Sequence, residues 1–240
     1  MERKRLRNRQ LPLCIVDNMR MKKRNRMKLI SILLAALFLC GCNEFDAEGY
    51  VQANLDAVFQ GETDALMALK EGSKKRELEQ EYEDRIAEFA EGLTVGLEVS
   101  EPMQIRFNIL CENIFRTMRY SIETVEKSSK NVYHVTVEYE PSDVFVKWTE
   151  YLAENAVDLN ERALAGEYQG TEEEILEQIR LDIAVESLEL LDTAMMNATY
   201  GDKEQIILSV KKGEDGEFAM DEKEIAGFIA KILYLDEIQD

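Results

Sequence analysis

Val132-Tyr133-His134-Val135-Thr136-Val137-Glu138-Tyr139-Glu140-Pro141 decides the fold class. Tyr133, Val135, Val137 and Tyr139 fall on one side of an extended chain, and Val132, His134, Thr136 and Glu138 on the other. That period of two predicts a strand with one core face and one wetter face, as antiparallel sheets have. Upstream, residues 119–127 repeat the pattern, and Ser128-Ser129-Lys130 between them reads as a hairpin turn. Pro141 stops the strand, and Ser142 or Asp143 can cap a helix carrying Phe145, Trp148, Leu152, Ala156, Leu159 and Ala163 at helical spacing.

Working outward, spacings of three and four recur on both sides. Tyr50, Val51, Leu55, Val58 and Phe59 predict a first helix ending at Gly61. Leu66, Met67 and Leu69 predict a short second one ending near Gly72. Leu78, Tyr82, Ile86, Phe89 and Leu93 predict a third, stopped at Gly92–Gly96. Pro102 suits the first turn of a fourth that runs to about Met118, with Met103, Phe107, Leu110, Cys111 and Ile114 on one face. After Gly166 and Gly170, Thr171 and Glu174 match a capping box. They open a long helix with Leu176, Ile179, Ile183, Leu190 and Ala194 in a stripe, ended by Gly201. Residues 205–211 and 217–220 flank Gly213-Glu214-Asp215-Gly216 as a second hairpin. Asp221 and Glu224 then cap a last helix of Ile225, Phe228, Ile229, Ile232 and Leu233. Each hairpin lies between helices, but no residue-level repeat marks a duplication. The expectation is one α+β domain over residues 42–240, long helices on an antiparallel sheet of two hairpins.

Charge divides the chain. The 240 residues hold 29 Lys and Arg against 48 Asp and Glu, a net of −19. Residues 1–41 carry 11 of the basic groups and only Glu2 and Asp17 of the acidic ones, leaving 18 basic and 46 acidic groups beyond, a net of −28. A body so acidic lacks the cationic face that phosphate contacts need, which excludes an ordinary nucleic-acid binder. At 45% hydrophobic residues with three prolines, wholesale disorder is excluded as well.

The basic head has its own pattern. Lys22, Lys23, Arg24, Arg26 and Lys28 precede an apolar run from Leu29 to Leu39, eleven residues, too short for the roughly 20 that a membrane-spanning helix needs. A basic cluster before a short apolar run is the pattern of a secretory signal. Leu39-Cys40-Gly41-Cys42 follows and resembles the bacterial lipobox, with Leu three residues before an invariant Cys and a small residue directly before it. Cys40, where Ala, Ser or Thr is commoner, departs from that pattern. The resemblance implies that residues 1–41 are removed, that Cys42 carries diacylglycerol, and that the body stands at the cell membrane on its extracytoplasmic face. Two or three acyl chains on one residue suffice for stable anchoring. The start is expected at Met1, Met21 or Met27. From Cys42 to Glu48 the chain reaches at most about 25 Å, which holds the body close to lipid.

Residues 50–62, Arg119-Tyr120-Ser121-Ile122 and Tyr133–Pro141, together with the lipobox, resemble a family of uncharacterised lipoproteins of low-GC Gram-positive bacteria built on a domain of unknown function. The resemblance implies a location and no activity. A helix cradled by a curved sheet, as in cystatins, is a looser likeness, and fold likeness does not license function.

Chemistry is sparse. The sequence has no Gly-x-Gly-x-x-Gly, Walker loop, His-Glu-x-x-His or Gly-x-Ser-x-Gly. The single histidine, His134, sits mid-strand, where with Thr136 and Glu138 it would form the polar wall of any cleft on that face. Cys111 is expected to be a buried small hydrophobe, with no partner for a disulfide once Cys42 is lipidated. Glu79, Glu83 and Asp84, or Glu172–Glu174, could attract a cation, but no calcium-loop pattern accompanies them. No catalytic residue, metal ligand or cofactor is assigned. The expectation is a non-enzymatic module binding a small ligand or a basic protein partner, since a −28 body favours cationic partners. The alternative is an envelope hydrolase using paired carboxylates. A pocket with two converging carboxylates would favour the enzyme, and a deep apolar pocket the binder.

Overall fold

The computed structural model describes residues 45–70 and 74–238. The lipobox, Cys42 and the preceding signal lie outside them, as does Gly72. Asp46–Asp240 forms one compact unit, and every buried apolar side chain from Ala47 to Leu233 belongs to it, so this part carries its own core.

The fold is α+β. Helices α1 (Ala47–Phe59), α2 (Asp64–Leu69), α3 (Lys75–Leu93) and α4 (Glu101–Arg116) lead into strands β1 (Arg119–Ser129) and β2 (Val132–Glu140). Helices α5 (Val144–Leu164) and α6 (Glu172–Asn197) follow, then β3 (Glu204–Lys212), β4 (Phe218–Met220), α7 (Glu222–Ile232) and a single 3-10 turn, Leu235–Ile238. The sheet runs β1-β2-β3-β4, antiparallel throughout, so the two hairpins pair through β2 and β3. Likeness to cystatins goes no further than helices lying against an antiparallel sheet.

The alternation in β2 does what its period requires. Tyr133, Val135, Val137 and Tyr139 are buried and their neighbours half-buried. In the register Tyr133 faces Val210 and Val135 faces Leu208, which extends the core face across β3. Above it the aromatic rings form a continuous chain. Tyr139 meets Phe228 of α7 at 5.3 Å, Phe228 meets Phe59 of α1 at 5.6 Å, and Phe59 meets Phe115 of α4 at 5.8 Å. Phe115 then meets Phe89 of α3 at 5.1 Å, Phe89 meets Phe145 of α5 at 5.5 Å, and Phe145 meets Trp148 at 6.4 Å. Tilted and edge-on contacts such as these add about 0.5–1.5 kcal/mol each beyond buried area.

Helix ends follow local chemistry. Asp46 accepts from the Gly49 amide at 2.9 Å and opens α1. Gly61 leaves it at φ 69°, where a side-chain Cβ would also meet the Tyr82 ring at 2.8 Å, so the position requires glycine twice over. At α6 both arms of the capping box form between Thr171 and Glu174.

Several expectations are corrected. The first hairpin turns at Lys130-Asn131, because β1 pairs through Ser129 opposite Val132. Asp143 occupies the cap position of α5 without capping it; its carboxylate accepts from the Thr199 amide at 2.7 Å and from Lys147 at 2.8 Å. Helix α6 ends at Asn197, and Gly201 is not its left-handed stop but donates to the Pro141 carbonyl. Glu224 does not return to the start of α7; it accepts from the Ser209 amide at 2.5 Å and covers a β3 donor beyond the end of β4. The buried stripe of α6 is Ala184, Ser187, Leu188, Leu191 and Ala194, while Leu176 is exposed and Ile179, Ile183 and Leu190 are half-buried.

Candidate functional site

The half-buried isoleucines of α6 lead to the site. Helices α5 and α6 pack as an antiparallel pair, and between them lies a groove of about 480 Å³. Trp148, Leu152, Ala156 and Leu159 of α5 form one wall, Ile179, Ile183 and Ser187 of α6 the other, and Val95 and Leu97 from the segment after α3 form a lip. These α5 residues recur at three and four because that spacing keeps one helix face toward its neighbour. None of the residues lining the groove is ionisable; its polar groups are Asn155, Asn160 and Ser187.

The groove is held from three directions. Trp148 donates from Nε1 to the Ser187 carbonyl at 2.9 Å, tying the base of one wall to the other. At the far end Arg162 donates to Glu186 at 2.8 Å, to Asp182 at 2.7 Å and to Glu167 at 3.2 Å, and Tyr168 also donates to Asp182. Burial, then the hydrogen bond to Asp182, pushes the Tyr168 hydroxyl up to about 12. Arg180 of α6 reaches Glu98 at 3.1 Å across the lip. Both partners of that pair are more than half exposed, so it adds at most about 1 kcal/mol.

With the Tyr82 hydroxyl, Ser187 is one of two anomalies among the described residues. It is 1% exposed, lines the groove, and among the described residues its Oγ makes no hydrogen bond. Leaving a buried hydroxyl unsatisfied costs about 1–3 kcal/mol. The sequence marked the α5 stripe that forms one wall, and Ile179 and Ile183 as α6 core, but not Ser187. A serine among apolar residues at helical spacing was the available signal.

The other candidates are dispersed. On the sheet, His134 Nδ1 lies 3.4 Å from Ser209 Oγ, Thr136 pairs with Thr124 at 3.1 Å, and Glu138 takes Lys203 at 2.5 Å, so each polar group is engaged by a different strand neighbour. Cys111 is fully buried, and desolvation pushes its thiol up to about 12, which keeps it an inert thiol at neutral pH. Glu79, Glu83 and Glu112 line a second groove of about 440 Å³ between α3 and α4. There Glu112 accepts from Arg116 at 2.8 Å, and Glu79 lies 3.9 Å from Lys75. Among the described residues no three His, Cys, Asp or Glu side chains come together in a metal-binding group, and no helix is long and apolar enough to cross a membrane.

No protein-family model and no curated protein matches the chain. Among solved structures, a candidate lipoprotein (ycdA) of Bacillus subtilis aligns with 78% of this chain at 12% identity and a TM-score of 0.43. The chain spans 56% of that protein's length. At that distance no property of the neighbour carries over.

Proposed function

We propose that this protein is a lipid-anchored, extracytoplasmic lipoprotein of the cell membrane that works as a non-enzymatic binding module, with the α5–α6 groove as its ligand site. The lipobox-like Leu39-Cys40-Gly41-Cys42 supports the anchor and its position on Cys42. The observation that carries the binding role is the groove itself, apolar, about 480 Å³ and free of ionisable lining, within the size range of small-molecule sites. A hydrolase working through paired carboxylates would instead use the α3–α4 groove, which Glu79, Glu83 and Glu112 line, since the α5–α6 groove offers amides and a hydroxyl. The acidic body, at −28 beyond residue 41, adds a second preference, for cationic partners next to the membrane.

Two mass measurements test the reading. The mature protein purified from its native envelope is expected to carry a diacylglycerol mass on Cys42, and Cys42→Ala is expected to abolish both that mass and retention in the membrane fraction. Native mass spectrometry of residues 43–240 is expected to show a discrete small-molecule adduct. Ala156→Phe, which fills the groove from an exposed position, is expected to remove the adduct. An adduct that survives the substitution places the ligand elsewhere, and a bare wild-type mass turns the reading toward a protein partner.

A further inference from the structure

The charge around the α5–α6 groove selects its ligand class. The walls are mainly aliphatic with one indole, and no lining residue is ionisable, so the bulk of the occupant is hydrocarbon. The three segments that supply the lining, residues 93–98, 148–163 and 179–187, hold seven acidic and two basic side chains. Both basic ones are already bonded to carboxylates, Arg180 to Glu98 and Arg162 to several at once. Asp158, Glu167, Asp182 and Glu186 lie 2.7–3.9 Å from the one guanidinium of Arg162, which leaves that end a surplus of three negative charges. Glu186 is joined to the groove directly, since it accepts from Asn155 of the lining at 2.5 Å. An apolar slot that ends in unbalanced carboxylates discriminates by sign. A carboxylate or phosphate head would meet like charge beside a poorly hydrated wall, and a neutral head would gain nothing from the rim. A cationic head gains a counter-charge there while its tail stays in the slot.

We propose, resting on the reading of the groove as the ligand site, that its occupant is an amphiphilic cation. Its hydrocarbon chain lies along Trp148, Leu159 and Ile183, and its protonated amine sits at the Arg162 end, facing Asp182 and Glu186. The groove and the acidity of the body then act together: the surface field concentrates the cation and the slot retains its tail. Contact between the head and an acidic rim is screened by salt, whereas burial of the tail is not.

Trp148 is the single tryptophan of the chain and lines the groove, so its emission reports occupancy. The test uses residues 43–240, which contain the whole self-contained unit, titrated with decylamine, decanol and decanoate at pH 7.5, where the amine is charged. Decylamine is expected to bind about tenfold more tightly than decanol, with decanoate weakest, and 1 M sodium chloride to shrink the amine's advantage over decanol to about twofold. Asp182→Asn keeps an oxygen to accept from Arg162 and Tyr168 but removes a charge. It is expected to weaken decylamine about threefold and to leave decanol and the far-ultraviolet circular dichroism unchanged. Ala156→Phe is expected to abolish all three responses, which separates binding in the groove from adsorption of a cation on an acidic surface. Decanol or decanoate binding as well as decylamine, or an amine advantage that neither salt nor Asp182→Asn reduces, overturns the ligand class and leaves the groove a binding site. Silence of Trp148 toward all three probes, or responses that survive Ala156→Phe, overturns the groove reading itself.

Discussion

The sheet end and the α5–α6 end of this molecule both carry apolar sequence and finish differently. At the sheet, Phe59, Tyr139, Leu208 and Phe228 are all at most 2% exposed, each facing rings or strand side chains on several sides. In the helix pair, Ile179 and Ile183 on the groove wall are only half-buried, and the buried Ser187 hydroxyl goes unpaired. Four elements close over the first region, whereas two helices and a lip leave the second open along its length. Sequence apolarity therefore measures what needs covering, and topology decides whether the chain supplies the cover. Where it does not, the remainder is available to something else.

The closed end should fail hardest. Phe228 touches Phe59, Tyr120 and Tyr139 and has no exposed surface. Phe228→Ala leaves an enclosed cavity among rings that cannot collapse into it, and is expected to cost about 3–5 kcal/mol. Urea unfolding should show the midpoint falling with the slope unchanged; a loss below 1 kcal/mol would mean that this core is no tighter than the groove.

The junction between the two ends comes next. Asp143 stands at the start of α5 and binds the amide and hydroxyl of Thr199, just past the end of α6, while Lys147 bridges to the Asn197 carbonyl. Burial alone would raise the carboxyl's pKa, but the bonds from Lys147 and Thr199 outweigh it and hold it below its ordinary value. A depressed native pKa means that this stability is complete above about pH 4 and is lost as pH falls further. Asp143→Ala is expected to cost about 1–3 kcal/mol at pH 7. Asp143→Asn should flatten the acid limb of the stability curve, an effect read by unfolding at pH 3 and pH 7.

Much of this was legible before the structure, for reasons tied to particular residues. Strand β2 announces itself because Tyr133, Val135, Val137 and Tyr139 alternate without interruption. The capping box of α6 was legible because Thr171 and Glu174 satisfy each other within one turn. The stripe of α6 was not. Leu176, Leu181, Leu188, Leu190 and Leu191 put apolar groups on more than one face, so periodicity alone cannot choose among them. The choice is made by α4 and α5 packing on different stretches of the helix. Glu224 and Asp143 misled for a related reason: each fits a local cap, but a distant amide, Ser209 or Thr199, competes for the same carboxylate. Ser187 was silent because an unpaired hydroxyl is a property of neighbours, and a sequence does not state them.

The open end should yield less than the closed one. Ile183 is half-buried on the groove wall, so truncating it enlarges a slot already open to water and creates no sealed cavity. Only part of the transfer free energy of the lost methyl and methylene groups is forfeited, about 1 kcal/mol. A cost as large as that of Phe228→Ala would show that the groove is closed in solution and that the contrast between the two ends is false.

The smallest effect has the opposite sign. Ser187→Ala removes a buried hydroxyl that has no partner and puts a better helix former in mid-helix. The hydroxyl's unmet desolvation is a cost that only the folded state bears, since the unfolded chain hydrates it. The substitution is expected to stabilise by about 0.5–1 kcal/mol, raising Tm by roughly 2–3 °C for a chain of this size. At the closed end the buried rings Phe59, Phe115 and Phe228 carry no polar group to remove, and truncating them can only open space. If Ser187→Ala proves destabilising instead, the hydroxyl has an internal partner in solution.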